Sequence, residues 1–203
     1  MKTKTGVRKE IQLAYIAIHD FFDNHGLETA EKEIEGILKS SLENAVWDKD
    51  MPGNLLYCME QLQVLSSAAF VIHYNNDLRE EAILMDSLSD PDILPVQGFV
   101  NRYAHSTPWN NFPRNLTASQ YHNPYRAIKK FCKFMTEPQW MQVFADLTEY
   151  ALCTDSIETT DSPYNILTLR KRLLQLIEAC HLIEVRTNRE NNKANEKKKL
   201  IKQ

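Results

Sequence analysis

Ile166-Leu-Thr-Leu-Arg-Lys-Arg-Leu-Leu-Gln-Leu-Ile-Glu-Ala-Cys-His-Leu-Ile183 is the stretch from which the fold can be read. Ile166, Leu169, Leu173, Leu176, Cys180 and Ile183 recur at alternating intervals of three and four, the period of one helix face. Leu167, Leu174 and Ile177 broaden that stripe beyond the narrow seam of a coiled coil. The segment therefore predicts a helix packed on several neighbours. A polar stretch, Thr154 to Ser162, and Pro163 precede it. After Val185 the apolar periodicity stops, so residues 189–203 read as a basic tail, disordered in isolation.

Working outward, the same spacing recurs upstream. Ile11, Tyr15, Ile18 and Phe22, widened by Ala14 and Phe21, predict a helix over residues 6–24 that His25-Gly26 stops. Thr29 reads as the N-cap of a second helix, carried by Ile34, Ile37, Leu38 and Leu42. Asn54 reads as the cap of a third, from Leu55 to about Leu88. Its centre, Val64-Leu-Ser-Ser-Ala-Ala-Phe-Val-Ile72, is apolar or small nearly all round, as in the central helix of a bundle. Another helix starts near Tyr125 with Ile128, Phe131, Cys132 and Met135 inward. Glu137-Pro138 opens the next, through Trp140, Phe144, Leu147 and Leu152. The expectation is one all-α domain, residues 1–188, a single-domain helical bundle of five or six helices.

With 203 residues the chain can bury roughly 70% of its unfolded surface, enough for a core without disulfides or metal. Five glycines and eight prolines suit helices. No uninterrupted apolar run approaches a membrane span, and Leu13–Ile18 is the longest. The basic start, Met1-Lys-Thr-Lys-Thr, is followed by Glu10, Gln12, His19 and Asp20, which interrupt any signal core. The cytoplasm is the expected compartment, and no membrane is expected as a partner. Cys58, Cys132, Cys153 and Cys180 are widely spaced, lie among apolar residues and read as free, buried thiols.

The net charge of −3 conceals an uneven distribution. Between Asp92 and Glu137 no acidic side chain occurs. The intervening 44 residues hold six bases and eight of the nineteen aromatic rings. Proportional sharing would supply about six acids and about four rings, so acid is missing and rings are in surplus. The first half of this segment, about residues 95–124, contains Pro95, Pro108, Pro113 and Pro124, and five asparagines. Such prolines forbid a long helix, so a structured connection of about thirty residues is expected, with a short helix at 97–104. Phe99, Tyr103, Trp109, Phe112, Leu116 and Tyr121 are too apolar for a solvated linker. In the second half Arg126, Lys129, Lys130 and Lys133 share one helix side.

Chemistry-bearing motifs are sparse. Glu178-Ala-Cys-His181 is one Glu-x-x-His unit where a di-iron carboxylate bundle needs two. His19-Asp20 has the residues of an HD metal dipeptide but lacks further ligands beyond His73 and Asp77. Neither Arg102 with His105 nor Arg114 with His122 has the spacing used by small helical ribonucleases. No Gly-rich phosphate loop or nucleophile elbow is present. No metal, cofactor or catalytic residue is expected.

The leading expectation is a non-enzymatic, bacterial-type binding or regulatory protein that engages nucleic acid or another polyanion through residues 99–133. Its candidate contacts are Trp109, Asn111, Arg114, Tyr121, His122, Tyr125, Arg126, Lys129, Lys130 and Lys133. Amides can read base edges, bases can meet phosphates and rings can stack. One alternative is a protein-interaction module with the aromatic loop as a partner or homo-oligomer interface. Another is an enzyme centred on His105 and His122. The competing structural reading is that the rings anchor the loop and the bases pair with the chain's own acids.

Overall fold

A computed structural model of the protein describes residues 4–42, 46–75, 108–153 and 165–200. Among them there are seven α-helices and no strand. The helices are α1 (Lys4–Asn24), α2 (Leu27–Leu42), α3 (Pro52–Tyr74), α4 (Ala118–His122), α5 (Tyr125–Phe134), α6 (Glu137–Leu152) and α7 (Ile166–Leu200). A 3-10 turn, Pro108–Asn111, precedes α4. The expected all-α bundle is the observed architecture, with α4 added to the helices read from periodicity.

One hydrophobic core joins the long helices. The apolar positions of α7 that repeat at three and four, from Leu169 to Ile183, are buried, as are Leu174 and Ile177. Leu167 is not. It shares a side of the first turn with Lys171 and stays in solvent. Most of the expected α3 centre is buried, with Leu65, Ala69 and Phe70 withdrawn from water, but Val64 at its start is 49% exposed. Small residues at Ser66, Ala68 and Ala69 let α1, α5 and α6 pack against it. By length and composition α3 is also the one described helix that could cross a membrane. Runs of uninterrupted apolar residues miss this, because Glu60 and glutamines dilute the sequence. Phe131 stacks on Trp140 at 4.1 Å and 13°, and Trp140 continues onto Phe144 at 5.8 Å, so α5 and α6 share a ring ladder. Burying such side chains contributes about 1.5–3 kcal/mol each.

Helix boundaries differ from expectation for local reasons. Helix α2 starts at Leu27, where the Gly26 carbonyl accepts from Ala30 N at 3.0 Å, leaving Thr29 exposed inside the first turn. Helix α3 starts at Pro52, a residue preorganised for the first helical position, so Asn54 lies inside the helix. It ends at Tyr74, where the Asn75 backbone and side-chain amides both donate to the Val71 carbonyl. The expected continuation to Leu88 and the short helix at 97–104 fall outside the described residues. Helix α7 reaches Leu200, so residues 189–200, expected as a disordered tail, have a helical backbone. Extension from an already packed helix avoids the nucleation cost, and Ala, Glu and Lys continue it readily. Of the thiols, Cys58 and Cys180 are buried, Cys132 is half-buried and Cys153 is exposed, which corrects the uniform burial expected.

Candidate functional site

The acid missing from the central segment is supplied by other helices. Glu178 of α7 is fully buried and receives three consecutive backbone N–H groups of the loop. Arg114 N donates at 2.7 Å, Asn115 N at 2.7–2.8 Å to both oxygens, and Leu116 N at 2.9 Å. The Asn115 amide adds a fourth donor at 2.8 Å. Consecutive N–H groups of this kind form a nest for an anion, and here the protein's own carboxylate fills it. Gln175, one turn earlier, donates to the Asn115 carbonyl at 3.0 Å and to Gln120 at 3.2 Å.

Glu31 of α2 approaches from the other side, and the Arg114 guanidinium donates to it at 3.3 Å. Burial, and then the neighbouring Glu178, push its carboxyl up to about 7 despite Arg114. A Glu31 carboxyl so placed favours its protonated form. Asn110 donates to Glu28 at 2.7 Å, and Lys32 bonds the same carboxylate at 2.7 Å, holding Glu28 below its usual range.

A short helix follows directly. Thr117 and Gln120 form a capping box at the start of α4, with Thr117 N donating to Gln120 Oε1 at 2.9 Å. The Arg186 guanidinium donates to the Tyr121 carbonyl at 2.7 Å and the His122 carbonyl at 3.1 Å, and lies 5.8 Å from the Tyr121 ring centroid. These bonds tie the end of α4 to α7. The Asn123-Pro124 corner then leads into α5, with Asn123 Oδ1 accepting from Tyr125 N at 3.1 Å.

The ten candidate contacts consequently have different fates. Asn111 and Tyr125 are buried, and the Tyr125 hydroxyl bonds Tyr15 at 2.7 Å, so neither presents its side chain to a partner. Burial withdraws both from the surface on which a contact was expected, and the hydroxyl partner of Tyr125 lies 110 positions away. Arg114 is exposed at its tip but engaged with Glu31. Tyr121 is half-buried between Phe112 and Arg186, whereas His122 is exposed. Trp109 is 65% exposed, in contrast to the buried Trp47 and Trp140. Arg126, Lys129, Lys130 and Lys133 all lie in solvent, while Ala127, Ile128 and Phe131 occupy the core side of α5. None of the four bases forms a salt bridge with a carboxylate among the described residues. His105 lies outside the described residues.

The isolated metal motifs have other engagements. Glu178 is occupied by the loop. His181 packs against Phe22 at 5.0 Å, and burial pushes its imidazole down to about 4. His19 bridges Asp23 at 3.3 Å and Glu184 at 2.7 Å, joining α1 to α7. Among the described residues no group of three His, Cys, Asp or Glu side chains is placed to hold a metal ion.

Residues that sequence reasoning missed are the buried polar ones: Gln120, Gln175, Glu178 and Glu31. A signal did exist. Gln175, Glu178 and His181 recur every three residues within the otherwise apolar stretch 173–183, the mark of a polar seam that needs partners. No family model, curated protein or solved structure matches the chain.

Proposed function

We propose that the protein is a non-enzymatic binding or regulatory protein that engages nucleic acid or another polyanion through the outer face of α5. One observation carries the reading: Arg126, Lys129, Lys130 and Lys133 line about two turns of a single exposed face without carboxylate partners among the described residues. Positions i, i+3, i+4 and i+7 place them on one side of the helix. Their mutual repulsion lacks relief from any acid within α5. A polyanion relieves it and releases its own condensed counterions, so binding tightens as salt falls. The apolar side is fixed in the core by Ile128 and Phe131, which keeps the basic side outward.

The test is a salt titration of nucleic-acid binding by the wild type and by a Lys129→Gln/Lys130→Gln double variant. Each lost phosphate contact should flatten the logarithmic salt slope by about 0.9 on duplex DNA or about 0.7 on single strands. The double variant should fold normally and bind more weakly. Absence of wild-type binding to nucleic acid and to heparin at low salt would overturn the reading. The basic face would then serve a different partner.

A further inference from the structure

We infer that the polyanion is single-stranded nucleic acid, one of whose unpaired bases stacks on Trp109 while its phosphates meet the basic stripe of α5. This rests on the polyanion reading and adds a chemical class to it. Of the three tryptophans in the chain, Trp109 is the exposed one, at 65%, against 6% for Trp47 and 0% for Trp140.

The exposed ring is braced from beneath. Its 3-10 turn closes through Phe112 N donating to the Trp109 carbonyl at 3.2 Å, and the next residue, Asn110, is bonded to Glu28. The Trp109 ring contacts Phe112 at 6.0 Å, Phe112 contacts Tyr121 at 5.7 Å, and Tyr121 meets His122 edge-on at 6.4 Å. Arg186 covers the Tyr121 ring. This ladder runs from the exposed indole to His122, three residues before α5 and its four bases begin. A ring fixed in solvent loses little freedom when a second ring stacks on it.

The acids beneath the platform do not repel a strand as free carboxylates would. Glu28 is bonded by Lys32 and Asn110, Glu31 by Arg114, and Glu178 by the loop backbone. Ligand classes differ in what they offer this arrangement. Heparin offers anionic groups without bases, and a duplex keeps its bases paired and stacked inside. A single strand offers a phosphate backbone together with unpaired rings. Ring platform and basic stripe together therefore select the single strand.

The experiment compares a short oligothymidylate, a duplex and heparin on the wild type, Trp109→Ala and Trp109→Phe, with tryptophan fluorescence as a second readout. Because Trp47 and Trp140 are buried, emission quenched on binding reports Trp109. Oligothymidylate should quench wild-type emission, and Trp109→Ala should weaken its binding by roughly five- to 150-fold, the range for loss of one stacked base. Trp109→Phe should recover part of that loss. Binding of heparin and duplex should change little in either variant. If all three ligands bind the wild type alike and Trp109→Ala leaves oligothymidylate binding unchanged, the inference is overturned while the polyanion reading stands. If none of the three binds at low salt, both fall.

Discussion

The two halves of the acid-free segment behave in opposite ways. In residues 108–124 several polar groups turn inward, while Thr117, Ser119 and His122 stay exposed. Asn110 meets Glu28, Arg114 meets Glu31, and three backbone amides with the Asn115 side chain converge on Glu178. In residues 125–134 the apolar groups turn inward, and four bases remain in solvent without ion pairs among the described residues. Absence of acid along the sequence is therefore not absence of acid in space. The first half is a loop stitched to α2 and α7 that leaves Trp109 exposed, and the second half leaves four bases exposed, the face we propose for an anion. An irregular loop satisfies its backbone with distant side chains, whereas a helix satisfies its own and leaves its outer face uncommitted.

The largest expected effect lies in the stitched half. Glu178→Ala removes a buried acceptor from four partly buried donors, and we expect a loss of about 2–4 kcal/mol in urea unfolding, between the range for an unsatisfied polar group and that for a broken buried charged network. Glu178→Gln keeps the shape and one acceptor, so its loss should be smaller. A change within about 0.5 kcal/mol for Glu178→Ala, the usual span for an unengaged surface site, would mean that Glu178 does not hold the loop.

Titration sharpens the same point. Glu31 rises from 4.5 to about 7, so between those values the folded state holds a proton that the unfolded chain has released. Stability contributed by that proton is full below about pH 4.5 and is lost as pH rises towards 7. His181 falls from 6.5 to about 4, so in an overlapping window the unfolded chain holds a proton that the folded state refuses. Its contribution has the opposite slope and is lost as pH falls. The two effects oppose each other between about pH 4.5 and 6.5, where the wild type should show little net change from this pair. In Glu31→Gln, stability should instead rise with pH by as much as about 1.4 kcal/mol per unit. In His181→Gln it should fall with pH over the same range. Parallel pH profiles for wild type and both variants would contradict the assignment. Glu28 and Glu33, both held below their usual range, contribute stability that is lost only at more acidic pH.

A smaller effect checks the corner between the two halves. Tyr125→Phe leaves the partly buried Tyr15 hydroxyl without its 2.7 Å partner, and should lower stability by about 1 kcal/mol. Double-mutant analysis with Tyr15→Phe should show that the two losses are not additive. Additive losses would mean the hydroxyl pair does not act as one interaction.

Periodicity made the helices legible. The stripe from Leu169 to Ile183 and the small-residue centre of α3 are core in the structure because a burial pattern at 3.6 residues is a local property. The role of Tyr125 was not legible. It stands beside Arg126 in sequence, but its hydroxyl partner is 110 positions away. Glu178 shows the same limit, since its charge suggested a metal motif while its partners lie over sixty positions upstream. Helix α4 was legible and missed: Thr117-Ala-Ser-Gln120 is a capping box, and its single turn is too short to show apolar periodicity. The α5 bases were legible because helical spacing alone assigns them to one face, opposite Ile128 and Phe131.

The most direct test of the contrast removes one positive charge from each half. Heparin affinity at fixed low salt should be measured for Arg114→Gln and for Lys130→Gln, which change net charge equally. Arg114 is engaged with Glu31, whereas Lys130 faces solvent without a carboxylate partner among the described residues. Arg114→Gln should bind nearly as the wild type does, and Lys130→Gln should bind more weakly, with a shallower salt dependence. Equal losses in the two variants, or a loss confined to Arg114→Gln, would contradict it.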